Sequence, residues 1–450
     1  MSISVLLLFG ILAQQERAID EIVRVDIVTL DLLALDDQGQ PITDLRREDF
    51  EIYDHRRKVS IEFFDIVNFD RAEVAKDQDP LMQTMVLLLD LGSSALPTIR
   101  NSLQEVRSFL SGLPQPLPLQ LLIFSMDYGM VTQGFTTDKV TALDDFTQFE
   151  VNFLDRVEQR PNYHEQFSIT RMEQELQNCI PRTLNASPAF RSSSAVTMAK
   201  NCMRLAFERF SSVQSNRSLA VLGSLENVLL SLAQIEGLKT LYLLSPGIST
   251  HPGKSSALLA SRYNQSLNSG QPSLFGKTGA GNTPGIPAGN QGGDPLDLNS
   301  QLNARAPKAT NFSVTPLEKE VQRLAHMALT TRTVIHSFTL PHNYLLDRRG
   351  APFEQLETKN VQVHSAYAGF SGELDEGTHE ISRLTGGLHF REDAIGDRLE
   401  SVMAKTRFYY VLGYAKPERS RKGFRGIRVE CKRKGVNLHH HGGYFARKRP

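Results

Sequence analysis

The chain has 450 residues, of which 40% are hydrophobic and 22% are charged, and its formal net charge at pH 7 is zero. This length and composition are typical of a soluble protein with two or three domains and a sizeable core. The balanced charge gives no electrostatic case for binding nucleic acid. The distribution is uneven, however, because residues 405–450 hold 14 Lys and Arg residues but only two acids.

Residues 1–15 form a candidate signal peptide. The apolar run from Val5 to Ala13 has the length of a signal-peptide core, and Ala13 is a suitable cleavage residue. The segment lacks the usual basic residues before the core, so a buried first strand or a misassigned start codon stays open. Beyond this segment, no apolar run approaches the ~20 residues that a membrane helix needs. These features predict an exported protein.

Residues 20–75 are predicted to form the first part of a small antiparallel β-module. Apolar and polar residues alternate over 22–35, again over 49–53 and again over 59–64. A turn sequence, Asp36-Asp37-Gln38-Gly39, follows the first run. Alternation with a period of two, bounded by turns, indicates short half-buried strands.

Strands alternate with helices over residues 82–405. Buried strands are predicted at 84–89, 119–125, 239–245, 333–340 and 388–390, with a short one at 130–133. Helical spacing of apolar residues is found over 99–110, 222–232, 321–328 and 375–384. Thr315, Pro316 and Glu318 form a strong helix start, with a cap, a proline at the first position and a capping box. The alternation predicts an α/β fold with a doubly wound, mostly parallel sheet.

Two insertions interrupt this domain. Residues 146–216 are predicted to be helical, and they contain Cys179 and Cys202. In an exported protein, these cysteines form either a disulfide or two buried thiols. Residues 253–312 are rich in Gly, Ser, Asn and Pro, which predicts a disordered loop.

Residues 406–450 are basic and return to β structure, with strands predicted at 408–414, 426–432 and 437–445. We expect them to pair with the N-terminal strands, so that the α/β domain is inserted into the β-module. The Lys and Arg residues either protect exposed edge strands from aggregation or contact an anionic surface of the cell envelope. The run His439-His440-His441 indicates a solvated strand end rather than a transition-metal site.

Six short motifs occur in order along the chain. They are Asp36-x-x-Gly39-x-Pro41 with Asp49-Phe50-x-Ile52, the loop at Asp90, Gly237-Leu238-Lys239-Thr240-Leu241, Leu384-Thr385-Gly386-Gly387, Tyr409-Tyr410-x-Leu412-Gly413-Tyr414, and Gly443-Tyr444. Together they resemble the exported von Willebrand factor A-related family described from acidobacteria. The resemblance covers nearly the whole chain outside the insertions. It implies a von Willebrand factor A fold, an extracytoplasmic location and a role in binding, but it supplies no ligand.

The candidate site lies in the loop that follows the first strand of the α/β domain. Asp90 ends a predicted buried strand, and Gly92 and Ser94 complete an Asp-x-Gly-x-Ser sequence. In open α/β sheets, ligands bind at the carboxyl ends of the strands. The sequence is similar to the Asp-x-Ser-x-Ser of the metal-ion-dependent adhesion site of von Willebrand factor A domains, with Gly92 replacing a serine. That site holds a hard cation such as Mg²⁺.

The resemblance places the remaining metal ligands in two further loops. Ser218 is the nearest equivalent of the threonine in the second loop, and Ser245-Pro246-Gly247 replaces Thr-Asp-Gly in the third. The metal ligands would then be Asp90, Ser94 and Ser218, which make a poor cage for Mg²⁺. This predicts a degenerate site that holds metal weakly or with help from a partner. Further ligand-binding loop residues are predicted to be Gly92, Ser93, Asp127 and Ser245.

The alternative for this loop is purely structural, with Asp90 and Ser94 capping the following helix. No motif of a known hydrolase, phosphate-binding loop or zinc protease occurs. A Ser-His-Asp arrangement that combines His336 or His342 with Ser94 or Ser245 stays open. The sequence therefore predicts a non-enzymatic, extracytoplasmic protein. It would bind a protein or another cell-envelope macromolecule through the carboxyl-edge loops. The alternative function is a scaffold of the cell envelope that binds through the β-module and the basic C-terminal segment.

Overall fold

A computed structural model describes residues 27–69, 83–115, 117, 119–125, 134–160, 166–180, 193–269, 316–340, 361–391, 395–417 and 423–446. In chain order these residues form β1 (Ile27–Leu35), β2 (Phe50–Asp54), β3 (Arg57–Val59), β4 (Phe63–Asn68), β5 (Gln83–Leu89), α1 (Leu96–Gly112), β6 (Leu119–Ser125), α2 (Lys139–Glu158), α3 (Ile169–Asn178), α4 (Ser193–Leu232), β7 (Lys239–Ser245), α5 (Lys254–Ser269), α6 (Glu318–Thr330), β8 (Thr333–Thr339), α7 (Val361–Thr385), β9 (His389–Arg391), α8 (Ile395–Thr406), β10 (Phe408–Ala415), β11 (Gly423–Cys431), β12 (Asn437–His440) and β13 (Gly443–Ala446).

Five parallel strands form the central sheet, in the order β6-β5-β7-β8-β9. The side chains of β5 alternate between two apolar layers. Leu87 and Leu89 pack against α1, α2 and α8, whereas Val86 and Leu88 pack against the second half of α4 and against α6. Since both faces are covered, the strands carry continuous apolar runs rather than alternating ones. The α/β class predicted from the sequence is confirmed at this level.

The β-module consists of two antiparallel sheets, with strand orders β12-β1-β10-β4 and β13-β11-β2-β3. Leu30 of β1 lies opposite Leu412 of β10, and Ile52 of β2 lies opposite Val429 of β11. The inward side chains of both sheets share one apolar core. Strands from the two ends of the chain therefore pair with each other, and the α/β domain is inserted between them.

A separate apolar core lies in a group of helices that we call the helical cap: α3, residues 193–213 of α4, α5, and Phe370 and Leu374 of α7. The 40 residues of α4 span about 60 Å at 1.5 Å per residue. Because α4 leads into the amino end of β7, its first half extends beyond the carboxyl edge of the sheet. The cap therefore sits over the edge that carries the predicted site.

A disulfide joins Cys179, at the end of α3, to Cys202 of α4. The sequence left these two residues open between a disulfide and two buried thiols. A disulfide is compatible with an extracytoplasmic protein. Within the described residues, no helix has the length and apolar character required to cross a membrane.

Two predicted segment boundaries in the α/β domain are wrong. Residues 254–269, assigned to a disordered loop, form α5, because Leu259, Tyr263 and Leu267 recur at helical spacing and are buried in the cap. The average composition of 253–312 concealed this short periodic stretch.

Helix α6 begins at Glu318 with Leu317 as its cap and no capping side chain. The N–H of Leu317 instead donates to the carbonyl of Thr250, at 2.7 Å.

The predicted strand over 437–445 is divided into β12 and β13, which belong to different sheets. The chain crosses between the sheets at Gly443, where a Cβ would lie 2.1 Å from the Arg425 carbonyl oxygen. The histidines before it are not a solvated strand end. His440 Nε2 accepts from the N–H of Val429 at 3.3 Å, and burial lowers its pKa to about 4.

Several predictions lie outside the described residues. They concern the signal peptide at 1–15, the strand at 130–133, the helix cap Thr315, and the site residues Asp127 and His342. Residues 270–312 of the predicted disordered loop also lie outside.

Candidate functional site

Asp90 lies at the point where the connections of the parallel sheet change direction. From β5 the chain crosses through α1 to β6 on one side, and β7 lies on the other side of β5. This topological switch opens a crevice at the carboxyl ends of the strands, where α/β proteins bind ligands. The N–H of Asp90 donates to the carbonyl of Leu244 at 2.8 Å, which fixes its backbone against β7.

Asp90 forms a buried ion pair with Arg217 of α4. The guanidinium Nη2 lies 2.8 Å from Asp90 Oδ2. The side chain of Asp90 is 2% exposed and that of Arg217 is 7% exposed. The hydroxyl of Ser245, at the end of β7, donates to the same oxygen at 2.5 Å. A charge buried to this extent requires a partner, and each of these two residues supplies it for the other.

Arg217 also ties together the loops that follow β5 and β7. Its Nε donates to Ser93 Oγ at 2.7 Å, and its Nη1 donates to the carbonyl of Gly247 at 2.7 Å. Gly247 has a φ of +119°, and a Cβ there would lie 2.5 Å from the Leu374 carbonyl oxygen, so only glycine fits. The planar guanidinium therefore acts as the common centre of the site.

The β7–α5 loop is held in place by Glu373 of α7. This carboxylate accepts from the N–H groups of Gly253 and Ser255 at 2.9 and 2.7 Å, and from the Ser249 hydroxyl at 2.9 Å. Burial of Glu373 raises its pKa, although these donors favour the charged form. These interactions satisfy backbone N–H groups at the start of α5, and they hold the loop in place where it contacts Arg217.

The structure places the predicted metal ligands differently from the expectation. Ser218 lies inside α4 rather than in a loop. The hydroxyls of Ser94 and Ser218 are buried without a hydrogen-bond partner among the described residues. The capping alternative is also wrong, because α1 starts at Leu96 with Ala95 as its cap and no capping side chain. Gly92 and Ser93 form the turn after Asp90, closed by a bond from Ser94 N–H to Leu91 O.

The residues around Asp90 do not fit Mg²⁺. A bound cation would share the carboxylate with the guanidinium, whose Nη2 lies 2.8 Å from Asp90 Oδ2, and the two positive charges would repel each other. Mg²⁺ also demands near-octahedral oxygen ligands, whereas Asp90 Oδ2 already accepts two hydrogen bonds. Throughout the described ranges, no group of three or more His, Cys, Asp or Glu residues is placed to hold a metal.

A cleft of about 370 Å³ opens beside the ion pair. Its lining is Asp90 and Ser93 from the β5 loop, Gln166 and Phe167 from the segment before α3, and Val213, Asn216, Arg217, Ala220, Val221 and Ser224 from α4. Gln214 Nε2 donates to the Phe167 carbonyl at 2.9 Å, which holds the cap segment against α4. The cleft is thus a recess with both polar and apolar lining between the helical cap and the carboxyl edge of the sheet.

Sequence reasoning missed Arg217, although the sequence contains a signal for it. Arg217 is the only charged residue between Arg209 and Glu226. The buried stripe of α4 is apolar on either side, and Gln214, Arg217 and Ser218 interrupt it. A polar break in an otherwise apolar helical stripe indicates a buried polar site.

A second polar cluster lies further along the same edge. Ser337 Oγ is 2.7 Å from His389 Nδ1, and His389 Nε2 is 2.9 Å from Asp375 Oδ1. Burial favours the neutral form of Asp375, but the interactions with His389 and Arg391 outweigh it and lower the pKa. The order of groups is that of a hydrolase triad, yet Ser337 is 0% exposed and cannot meet a substrate.

His336, which the sequence left open as part of a catalytic combination, also has structural contacts. Its Nδ1 accepts from the N–H of Leu388 at 3.0 Å, and its ring stacks on Tyr242. Burial lowers its pKa to about 3, so it stays neutral. Neither Ser94 nor Ser245 has a histidine partner among the described residues.

The fold and the cleft define the chain as an α/β protein inserted into a β-module, with a candidate binding site at the carboxyl edge of its parallel sheet. The chain matches no model of a known protein family. No curated protein is similar to it in sequence.

Proposed function

We propose that this chain is a non-enzymatic, extracytoplasmic binding protein of the von Willebrand factor A type, which recognises a cell-envelope macromolecule without a metal ion. The observation that carries the proposal is the Arg217–Asp90 pair beside the cleft. The guanidinium provides, as part of the protein, the positive charge that a metal provides in a metal-dependent adhesion site. A guanidinium stays charged at all physiological pH values and does not dissociate.

Two independent features support the extracytoplasmic location. The apolar run of the first 15 residues is typical of a signal peptide, and the disulfide suits an oxidising compartment. The ligand-binding loop residues predicted from the sequence, Ser93 and Ser245, both hydrogen bond within the Arg217 site.

The alternative function, a scaffold of the cell envelope that binds through the β-module and the basic C-terminal segment, has less support. The exposed cations Lys58 and Arg428 form ion pairs with Glu51 and Glu430. Arg433 is likewise paired with Asp44. Each acid neutralises a charge that an anionic surface would need.

Metal independence is tested by thermal melts of the full chain in EDTA and then in millimolar Mg²⁺, Mn²⁺ or Ca²⁺. A cation that binds the native state at 100 times its Kd adds about 2.7 kcal/mol, which raises the Tm by several degrees. We expect no shift of this size with any of the three cations. An upward shift in the native chain that disappears in Asp90→Asn would overturn the proposal.

The binding site is tested by capture of envelope material on the immobilised chain in EDTA. We expect Asn216→Ala to reduce capture, because Asn216 lines the cleft and is exposed. Asn227→Ala is the matched control, because Asn227 is an exposed asparagine of α4 three turns away and outside the cleft lining. Capture that needs a metal, or that is equal in the two variants, would contradict the proposal.

A further inference from the structure

We infer that the cleft beside Arg217 binds a neutral, hydroxyl-rich ligand, namely a sugar unit of a cell-envelope glycan. This inference rests on the proposed function and names the ligand class of the same site. It follows from the hydrogen-bonding groups that the cleft leaves unused, from their charges, and from the size of the cleft.

The Arg217–Asp90 pair has unused hydrogen-bonding capacity on both partners. A guanidinium has five N–H donors, and Arg217 uses three of them, toward Ser93, Gly247 and Asp90. Asp90 receives both of its side-chain bonds at Oδ2, so that Oδ1 accepts none from the described residues. Since both residues line the cleft, a ligand there meets donors and an acceptor side by side.

The charges of the pair select a neutral group. A carboxylate or phosphate that accepts from Arg217 would lie against the Asp90 carboxylate, and an ammonium that donates to Asp90 would lie against the guanidinium. A hydroxyl accepts and donates through the same oxygen. It can therefore accept from Arg217 and donate to Asp90 without a charge penalty.

The remaining lining has the same dual character. Asn216, Gln166 and Ser224 each offer both a donor and an acceptor. Phe167 and Val213 supply apolar surface for the C–H groups of a sugar ring. A polyol carries a donor and an acceptor on every hydroxyl, so it can satisfy this mixture, whereas a peptide would need pockets for its side chains.

The volume and the rigidity of the cleft fit a small ligand. A volume of about 370 Å³ lies at the lower end of the ~300–1,000 Å³ typical of small-molecule sites. Arg217 and Asp90 are buried and bonded to each other, which fixes both side chains before a ligand arrives. Such preorganisation lowers the entropy cost of binding.

The test is saturation-transfer NMR and calorimetric titration of the full chain with three sugars that differ in charge: glucose, glucosamine and glucuronate. We expect saturation transfer and measurable affinity for glucose, and weaker binding of the two charged sugars. Asn216→Ala should weaken glucose binding about fivefold, as expected for one lost hydrogen bond, whereas Asn227→Ala should bind like the unaltered chain.

Tighter binding of glucuronate than of glucose would overturn the inference, and so would saturation transfer that is equal in Asn216→Ala and the unaltered chain. Absence of saturation transfer from glucose, from N-acetylglucosamine and from galactose would also overturn it. These outcomes separate the inference from the proposed function. If envelope capture depends on Asn216 but free sugars neither bind nor compete, the cleft is a binding site and its ligand is not a sugar.

Discussion

Among the described residues, the β-module and the α/β domain each contain a buried aspartate–arginine pair, and the two pairs differ in what surrounds them. In the β-module, Asp54 accepts from Arg425 at Oδ1, 2.8 Å from Nε, and from Tyr414 and Tyr444 at Oδ2. In the α/β domain, Asp90 has Arg217 and Ser245 as partners, both at Oδ2. The first carboxylate has both oxygens bonded inside the protein, whereas the second has one oxygen that no described residue occupies.

This difference distinguishes an ion pair with a structural role, at Asp54, from an ion pair in a candidate binding site, at Asp90. Asp54 lies in β2 and its three partners lie in β10, β11 and β13, so their bonds hold the two sheets of the module together. Burial and the bond to Asp54 raise the pKa of Tyr444 to about 12, so its hydroxyl stays a donor. Around Asp90 the elements leave a cleft instead, and the unused hydrogen-bonding groups point to a ligand.

The largest effects should come from breaking either pair. Removal of one partner of a buried ion pair leaves an uncompensated charge and costs about 3–5 kcal/mol. We expect losses of this size in the free energy of unfolding for Asp54→Ala and for Asp90→Ala, measured by denaturant titration. A loss below about 1 kcal/mol, the range of exposed pairs, would show that the affected pair is not buried in solution.

Replacement of both charges distinguishes the two pairs by function. The double variant Asp90→Leu with Arg217→Met removes the charges but keeps apolar volume, an exchange that is often neutral for stability. We expect this variant to stay folded and to lose capture of envelope material. Normal capture by the folded double variant would show that the pair is structural, like that of Asp54.

The disulfide should have the next largest effect. It closes a loop over a sequence separation of 23, and the chain-entropy relation gives about 3 kcal/mol for a loop of this length. We expect Cys179→Ser with Cys202→Ser to lower the free energy of unfolding by about this amount. Cys431→Ser is the matched control, because Cys431 is a free thiol in the β-module. Equal stability of the two variants would contradict a role for the disulfide in holding the cap.

The smallest effect is a pH dependence that arises from His336. Its folded pKa of about 3 lies below the unfolded value of about 6.5, so the unfolded chain binds the extra proton. The stability from His336 is therefore present above pH ~6.5 and is lost as the pH falls toward 3, by at most about 1.4 kcal/mol per pH unit.

Denaturant titrations of the unaltered chain and of His336→Gln, compared from pH 7.5 to pH 4.5, check this expectation. The difference in unfolding free energy should be constant above pH 7 and should move in favour of the variant below pH 6. A difference that stays constant over the whole range would show that the pKa of His336 is the same in the folded and the unfolded chain.

Much of the fold was predictable because its signals are local. The apolar run before Asp90 predicted a strand buried on both faces, and β5 is that strand. The alternation over 22–35 and the strand expected at 408–414 predicted two strands of the β-module, and β1 and β10 lie there and pair. In each case the side-chain period within a few residues specifies the element. Where a local average hid a short periodic stretch, as in α5, the prediction failed.

The candidate site was predictable only in part. The sequence located the loop at Asp90, since a carboxylate at the end of a buried strand marks the ligand-binding edge. The sequence analysis assigned Ser218 to a loop, because the resemblance aligned a short segment around this residue. The residues on both sides of that segment form the 40-residue helix α4. Because Ser218 lies within this helix, it is not in a loop as predicted. Its neighbour Arg217 lies beside the carboxylate of Asp90 instead.

The sequence by itself determined the strands and helices of the two regions and the edge at which a ligand would bind, because these depend on periodicity and on strand ends. Only the tertiary structure decided the chemistry of the site. Arg217 is 127 residues from Asp90 in sequence, and no local pattern relates them. The long helix carries the guanidinium past the switch point of the sheet, where burial makes each charge depend on the other. Packing, rather than any motif, therefore paired the carboxylate of Asp90 with an arginine.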